Sequence, residues 1–203
     1  MTARRIPRPD VPGGYAPLDS GLLVPRANMQ DCDWLPSDHG LIAWTYDPQI
    51  ILGSTVLAVA GRLYLQRIHV WRSALVRNLV VYVTAGSGLT SGQCGAALFD
   101  AATGALLGRT GDQASSWETT GVKEMPLSAP VQLSAGDVYT GLWFNGKTGP
   151  NIPRVQSTTA LMNLGRASAD ARWGYVATGL TTDPPDALGT IVANSPSYWS
   201  ALS

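Results

Sequence analysis

From about residue 40 onward the chain alternates short apolar runs, rich in Val, Leu, Trp and Tyr, with breaks of Gly, Pro, Asp or Asn. The breaks recur about every 8–12 residues, the rhythm of an all-β domain. The first runs predict strands over Leu41–Tyr46, Ile50–Leu52 and Arg62–Trp71. In the third, Leu63 and Leu65 share one face while Ile68 and Val70 take the other parity. Such a switch needs either a β-bulge near Gln66 and Arg67 or burial of both faces, and the bulge is the cheaper device. Leu79–Val83 has no polar face and is rich in valine, which suits a central strand. Gln93–Phe99 and Ala105–Arg109 flank a turn at Asp100–Gly104 and predict a hairpin.

Val122–Leu127 and Val131–Leu133 carry Pro126 and Pro130 at their breaks, which confines them to an edge or an irregular ladder. Val138–Phe144 alternates regularly, leaving Trp143 to face outward or toward a second layer. Thr158–Leu164, Arg172–Ala177 and Ile191 with Val192 bring the total to roughly ten strands. The expected architecture is an antiparallel β-sandwich, jelly-roll-like, with no convincing helix. Trp71, Trp143 and Trp173 fall within strand patterns and are assigned to its core.

Before that domain the pattern is different. Residues 1–37 hold Pro7, Pro9, Pro12, Pro17, Pro25 and Pro36, with Gly13 and Gly14 between them and little apolar periodicity. Proline fixes φ and donates no hydrogen bond, so this segment is expected to run as an extended arm, ordered only where it lies on another surface. The β-domain is accordingly placed at 38–203. Arg4, Arg5 and Arg8 make the arm's start basic, suited to docking on an acidic partner or to a solvated tail.

Composition narrows the function. Charged residues are 14% of the chain, against roughly a quarter in ordinary soluble domains, so Ser, Thr, Gly, Asn and Gln must finish the surface. Lys plus Arg and Asp plus Glu number 14 each, which leaves no field to favour nucleic acid or an anionic membrane. The sequence shows no apolar run of membrane-spanning length and no signal-peptide core after its first arginines, so neither insertion nor secretion by that route is expected. Cys32 and Cys94 lack metal or redox spacing and are read as reduced thiols.

Catalytic chemistry is sparse. His69 lies mid-strand, where a hydrogen-bonded structural role is expected. His39 closes the stretch Asp31-Cys32-Asp33-Trp34-Leu35-Pro36-Ser37-Asp38-His39, whose donors match no known metal loop and read as turn residues. Ser91 is one place off a nucleophile elbow, and Gly86-Ser87-Gly88 lacks the lysine and helix of a phosphate loop. Asp112, Glu118 and Glu124 are the carboxylates that a polysaccharide-degrading domain would use. No catalytic residue, metal or cofactor is assigned.

The aromatic set is biased, with seven Trp and seven Tyr against two Phe, and residues with an apolar body and a polar tip suit half-wet contact surfaces. Trp117, Tyr198 and Trp199 sit in polar loops or near the C-terminus and are the ligand or interface candidates, with Glu118 beside Trp117 as a sugar-binding carboxylate.

Tyr15-Ala16-Pro17-Leu18-Asp19-Ser20-Gly21-Leu22-Leu23-Val24-Pro25 resembles the linker that precedes β-rich domains in bacteriophage tail fibres and minor tail proteins, with Leu23 as an extra residue. Gly61–Leu65, Val80–Cys94 and Gly141–Gly146 are similar to C-terminal domains of actinobacterial phage tail proteins. The resemblance implies a non-enzymatic virion protein acting in assembly or attachment. The first expectation is a minor tail or fibre-tip protein recognising a host-surface glycan. Its alternative is a capsid decoration or head-fibre protein tethered to the shell by the arm. Either is expected to contact other virion proteins and to form a homo-oligomer, with a trimer as the guess.

Overall fold

The computed structural model describes residues 34–155, 163, 170–177, 179–193 and 196–203. Among them the chain forms β1 (Ala43–Trp44), β2 (Gly53–Val56), β3 (Arg62–Val70), β4 (Ala74–Val83), β5 (Ser87–Leu89), β6 (Gly95–Asp100) and β7 (Leu106–Arg109). After a single turn of helix, α1 (Ala114–Trp117), come β8 (Gly121–Leu133), β9 (Gly136–Trp143), β10 (Gly146–Thr148), β11 (Asn151–Val155), β12 (Trp173–Ala177), β13 (Val192–Ala193), β14 (Ser197–Tyr198) and β15 (Ala201–Leu202). The expected arm, with Arg4, Arg5 and Arg8, lies outside the described residues, as does most of the expected strand Thr158–Leu164. Leu35–Ser203 forms one compact unit.

The architecture is an all-β sandwich. One sheet has six strands in the order β13-β12-β3-β9-β6-β7, and it packs on a four-stranded sheet ordered β1-β15-β4-β8. All pairings within both sheets are antiparallel. The shared core draws Tyr64, Ile68, Val70, Ala96, Leu98 and Leu142 from the first sheet and Val76, Leu79, Val81, Val83, Met125 and Leu202 from the second. Two smaller sheets, β14-β11-β2 and β10-β5, complete the described strands.

The parity switch on β3 is resolved by burial and not by a bulge. Its register with β9 runs unbroken from Tyr64↔Leu142 to Val70↔Gly136. Tyr64, Ile68 and Val70 face the main core, while Leu63 and Leu65 face a second apolar cluster with Phe99, Tyr139, Trp143 and Ile191 on the outer side of the six-stranded sheet. A covered outer face lets both parities be apolar, so no extra residue is needed in the ladder. The same logic explains Leu79–Val83. β4 is an interior strand, and even its outward Val80 is buried by Trp199 and by flanking Leu41, Trp44, Tyr46 and Ile51.

Pro126 and Pro130 do sit at an edge. They share the single strand β8, whose register with β4 jumps from Val76↔Val131 to Asn78↔Pro126, so residues 127–130 bulge away from the ladder. The β6–β7 hairpin forms as expected. Asp100 Oδ1 accepts from Thr103 N at 2.7 Å and Ala102 N at 3.0 Å, and Gly104 takes φ 75°, which a side chain would strain. Those bonds hold the Asp100 carboxyl below its ordinary range.

Other expectations are corrected. Ile50–Leu52 is not a strand: Pro48–Ile50 is a 3-10 turn capped by Asp47, whose carboxylate accepts from Gln49 N at 2.8 Å, and pairing starts at Gly53. Proline at the turn's first position and the Asp cap favour a helical turn over extension. Of Leu41–Tyr46 only Ala43–Trp44 pairs. Trp71 is not in the core; β3 ends at Val70 and Trp71 is 80% exposed.

Candidate functional site

Three of the four ligand or interface candidates are core residues. Trp117, in α1, is wholly buried in the main core, because the preceding Asp112 anchors the helical turn there through Oδ1, which accepts from both Ala114 N and Cys94 N at 3.2 Å. Tyr198 meets Tyr64 edge-on with centroids 5.4 Å apart and donates to Val56 O at 3.0 Å. Burial pushes its hydroxyl pKa far up, against the pull of Arg154 and Arg62. Trp199 donates from Nε1 to Tyr46 O at 3.0 Å and is 7% exposed. Polar neighbours in sequence concealed all three, since their apolar partners are distant in the chain. Glu118 is exposed, but its Oε1 accepts from Leu89 N at 2.9 Å, which makes it a loop clamp beside α1.

The exposed aromatic surface lies elsewhere, and strand geometry builds it. Alternation along β3 puts Leu63, Leu65, Arg67 and His69 on the outer face, and Trp71 continues that parity just past the last paired residue. Asp137 and Tyr139 of β9 stand opposite His69 and Arg67. The outer cluster covers Leu63 and Leu65 and reaches Ala171; past it, the face emerges as Arg67, His69, Asp137 and Trp71.

This array is tightly connected. Arg67 donates to Asp137 Oδ2 from Nε at 2.8 Å and from its NH2 group at 2.7 Å. His69 Nδ1 bonds Asp137 Oδ1 at 2.5 Å, and the His69 ring stands nearly perpendicular to the Trp71 indole, 4.2 Å between centroids. Arg67 reaches Asp170 as well, donating to its carbonyl at 3.3 Å. Partial burial alone would raise the Asp137 carboxyl, but bonds from His69 and Arg67 outweigh it and hold the group below its ordinary value. Tyr139 beneath is fixed by a 2.6 Å bond to Ala171 O.

The result is a solvent-facing indole on a rigid polar base. A Trp face offers a stacking platform for an apolar ring face, and adjacent polar tips supply directional hydrogen bonds. Because Arg67 and Asp137 neutralise each other, the platform suits a neutral, hydroxyl-rich ligand better than an ion. A signal for it was present in the sequence: Arg67 and His69 at alternate positions mark a face turning to solvent, and Trp71 is the next residue on that face.

The remaining chemistry stays dispersed. Buried Cys94 is a free thiol whose pKa burial raises, and its sulfur faces the carbonyls of Asn145 and Thr90. Asp31, Cys32 and Asp33 lie outside the described residues, and among the described residues no three His, Cys, Asp or Glu side chains gather as a metal site. No protein-family model matches the chain, and no curated protein matches it either.

Proposed function

We propose that the chain is a non-enzymatic bacteriophage virion protein, a minor tail or fibre-tip component whose sandwich holds a host-surface glycan on the Trp71 array. One observation carries the reading: an indole 80% exposed, braced by His69 and by the Asp137–Arg67 pair. With Trp117, Tyr198 and Trp199 buried, the exposed Trp71 indole beside a polar array offers an amphipathic ring of the kind enriched at contact surfaces. The linker-like Tyr15–Pro25 and the low-charge surface support a virion setting. Binding fits better than catalysis, because both oxygens of Asp137 are occupied and the carboxylate is held ionised, a weak base. A homo-oligomer, taken as a trimer, would multiply weak single-site contacts through avidity.

The test is immunogold labelling of intact particles with antibody against residues 40–203, joined to glycan-array binding of wild type and Trp71→Ala. Tail-tip label with glycan binding that Trp71→Ala abolishes is the expected result. Label spread over the head would replace host recognition with capsid decoration and make the array a contact between virion proteins.

A further inference from the structure

At the other end of β9 a separate concavity opens. Its volume is about 210 Å³, and Trp143, Arg109, Asp112, Ser128 and Asp183 are among the residues that line it. We infer that this cleft binds one ring of a neutral saccharide, independently of the Trp71 array. The size is the first argument. The volume falls below the roughly 300–1,000 Å³ of pockets for drug-sized ligands and leaves room for a single ring.

The polar lining is the second argument. Asp112 spends Oδ1 on two backbone N–H groups, Cys94 N and Ala114 N, which fixes the carboxylate, while Oδ2 makes no bond among the described residues. Arg109 is oriented by a 2.6 Å ion pair to Asp183 Oδ1, and its other N–H groups bond no described side chain. Ser128 Oγ donates to Arg109 O at 3.0 Å, so the bulge of β8 braces the same wall. Both donors and acceptors therefore line the cleft, as the adjacent hydroxyls of a sugar require. Arg109 is already paired with Asp183, which weakens its attraction for a carboxylate ligand, and the two amides donating to Asp112 partly offset its charge, which disfavours a cation. The Cys94 thiol on the wall is occupied by two carbonyls and takes no covalent role.

Gly111 supplies the handle for a test. Gly111 lines the cleft, a Cβ there would meet nothing within 4 Å, and its backbone is not in the left-handed region, so Gly111→Leu adds bulk at the cleft wall without backbone strain. The full chain is titrated with methyl glycosides of glucose, galactose, mannose and N-acetylglucosamine at millimolar concentration while the Trp143 indole N–H resonance, assigned with Trp143→Phe, is followed by NMR. At least one glycoside is expected to shift that resonance saturably. Gly111→Leu should weaken the effect by about tenfold or more, equal to at least one good hydrogen-bonded contact, while Trp71→Ala leaves it intact. Asp112→Asn, which keeps the Oδ1 acceptor and turns Oδ2 into a donor, provides a second variant should Gly111→Leu fold poorly, and it too should weaken binding. The inference is overturned if no glycoside shifts the resonance, if both cleft variants respond like wild type, if Trp71→Ala removes the response, or if acetate or methylammonium acts as strongly as the sugars.

Discussion

Trp71 and Trp143 share one face of one sheet at opposite ends of the β3–β9 pair, yet one is 80% exposed and the other 2%. Between the two ends, Asp137 to Trp143 spans about 20 Å at the usual rise of a strand. At the Trp143 end Leu63 and the indole belong to the outer apolar cluster, which Leu180 and Ile191 join from outside the strands, and Gly95 makes the room: a Cβ there would lie 2.6 Å from the indole. At the Trp71 end the cover stops, and Arg67, His69 and Asp137 form a polar base in its place. Parity decides which face a residue takes, and the segment lying over that face decides whether it is buried.

The largest effect should come from Trp143→Ala. Removing a buried indole costs about 3–5 kcal/mol, and the lower end is expected because the indole N–H is buried without a partner and its loss is a partial gain. Urea unfolding measures this; a loss no bigger than that of Trp71→Ala would abolish the contrast between the two ends.

An intermediate effect, about 1 kcal/mol at neutral pH, is expected for Asp137→Asn, which removes a part-exposed ionic hub. Because the folded carboxyl titrates below its ordinary value, its contribution is complete above the unfolded pKa of about 3.9 and fades as pH falls through the lower folded value. The gap between wild type and Asp137→Asn in urea midpoint should therefore close below about pH 4. A gap that is unchanged in acid would mean that the bonds to Arg67 and His69 do not stabilise the fold.

The smallest stability change belongs to Trp71→Ala, within about 0.5 kcal/mol, as for surface substitutions away from buried features. Stability intact with glycan binding lost would sharpen the comparison into structure at one end and recognition at the other. A loss of several degrees in Tm would show that Trp71 is part of the packing.

Strands were far more legible than sites. Arg62–Val70, Leu79–Val83, the Asp100–Gly104 hairpin and the proline-bearing edge all follow from short apolar runs and turn chemistry, which act over a few residues. Local pattern places Trp143 and Trp173 inside, where they are, but reverses four other aromatics, with Trp71 inside and Trp117, Tyr198 and Trp199 outside. Trp199 finds the carbonyl that satisfies it 153 residues away, and Tyr198 finds its own 142 residues away. No window of neighbouring residues contains that information.

Alternation and turn residues thus determine by themselves that this chain builds antiparallel strands with an apolar face, since the two-residue period and the φ of glycine and proline are local properties. Tertiary structure alone decided which apolar faces acquired a second cover and that Trp71 stands in water while Trp117, Trp143 and Trp199 do not. Burial is set by segments that meet only after the sheets have formed, through contacts between residues far apart in the chain.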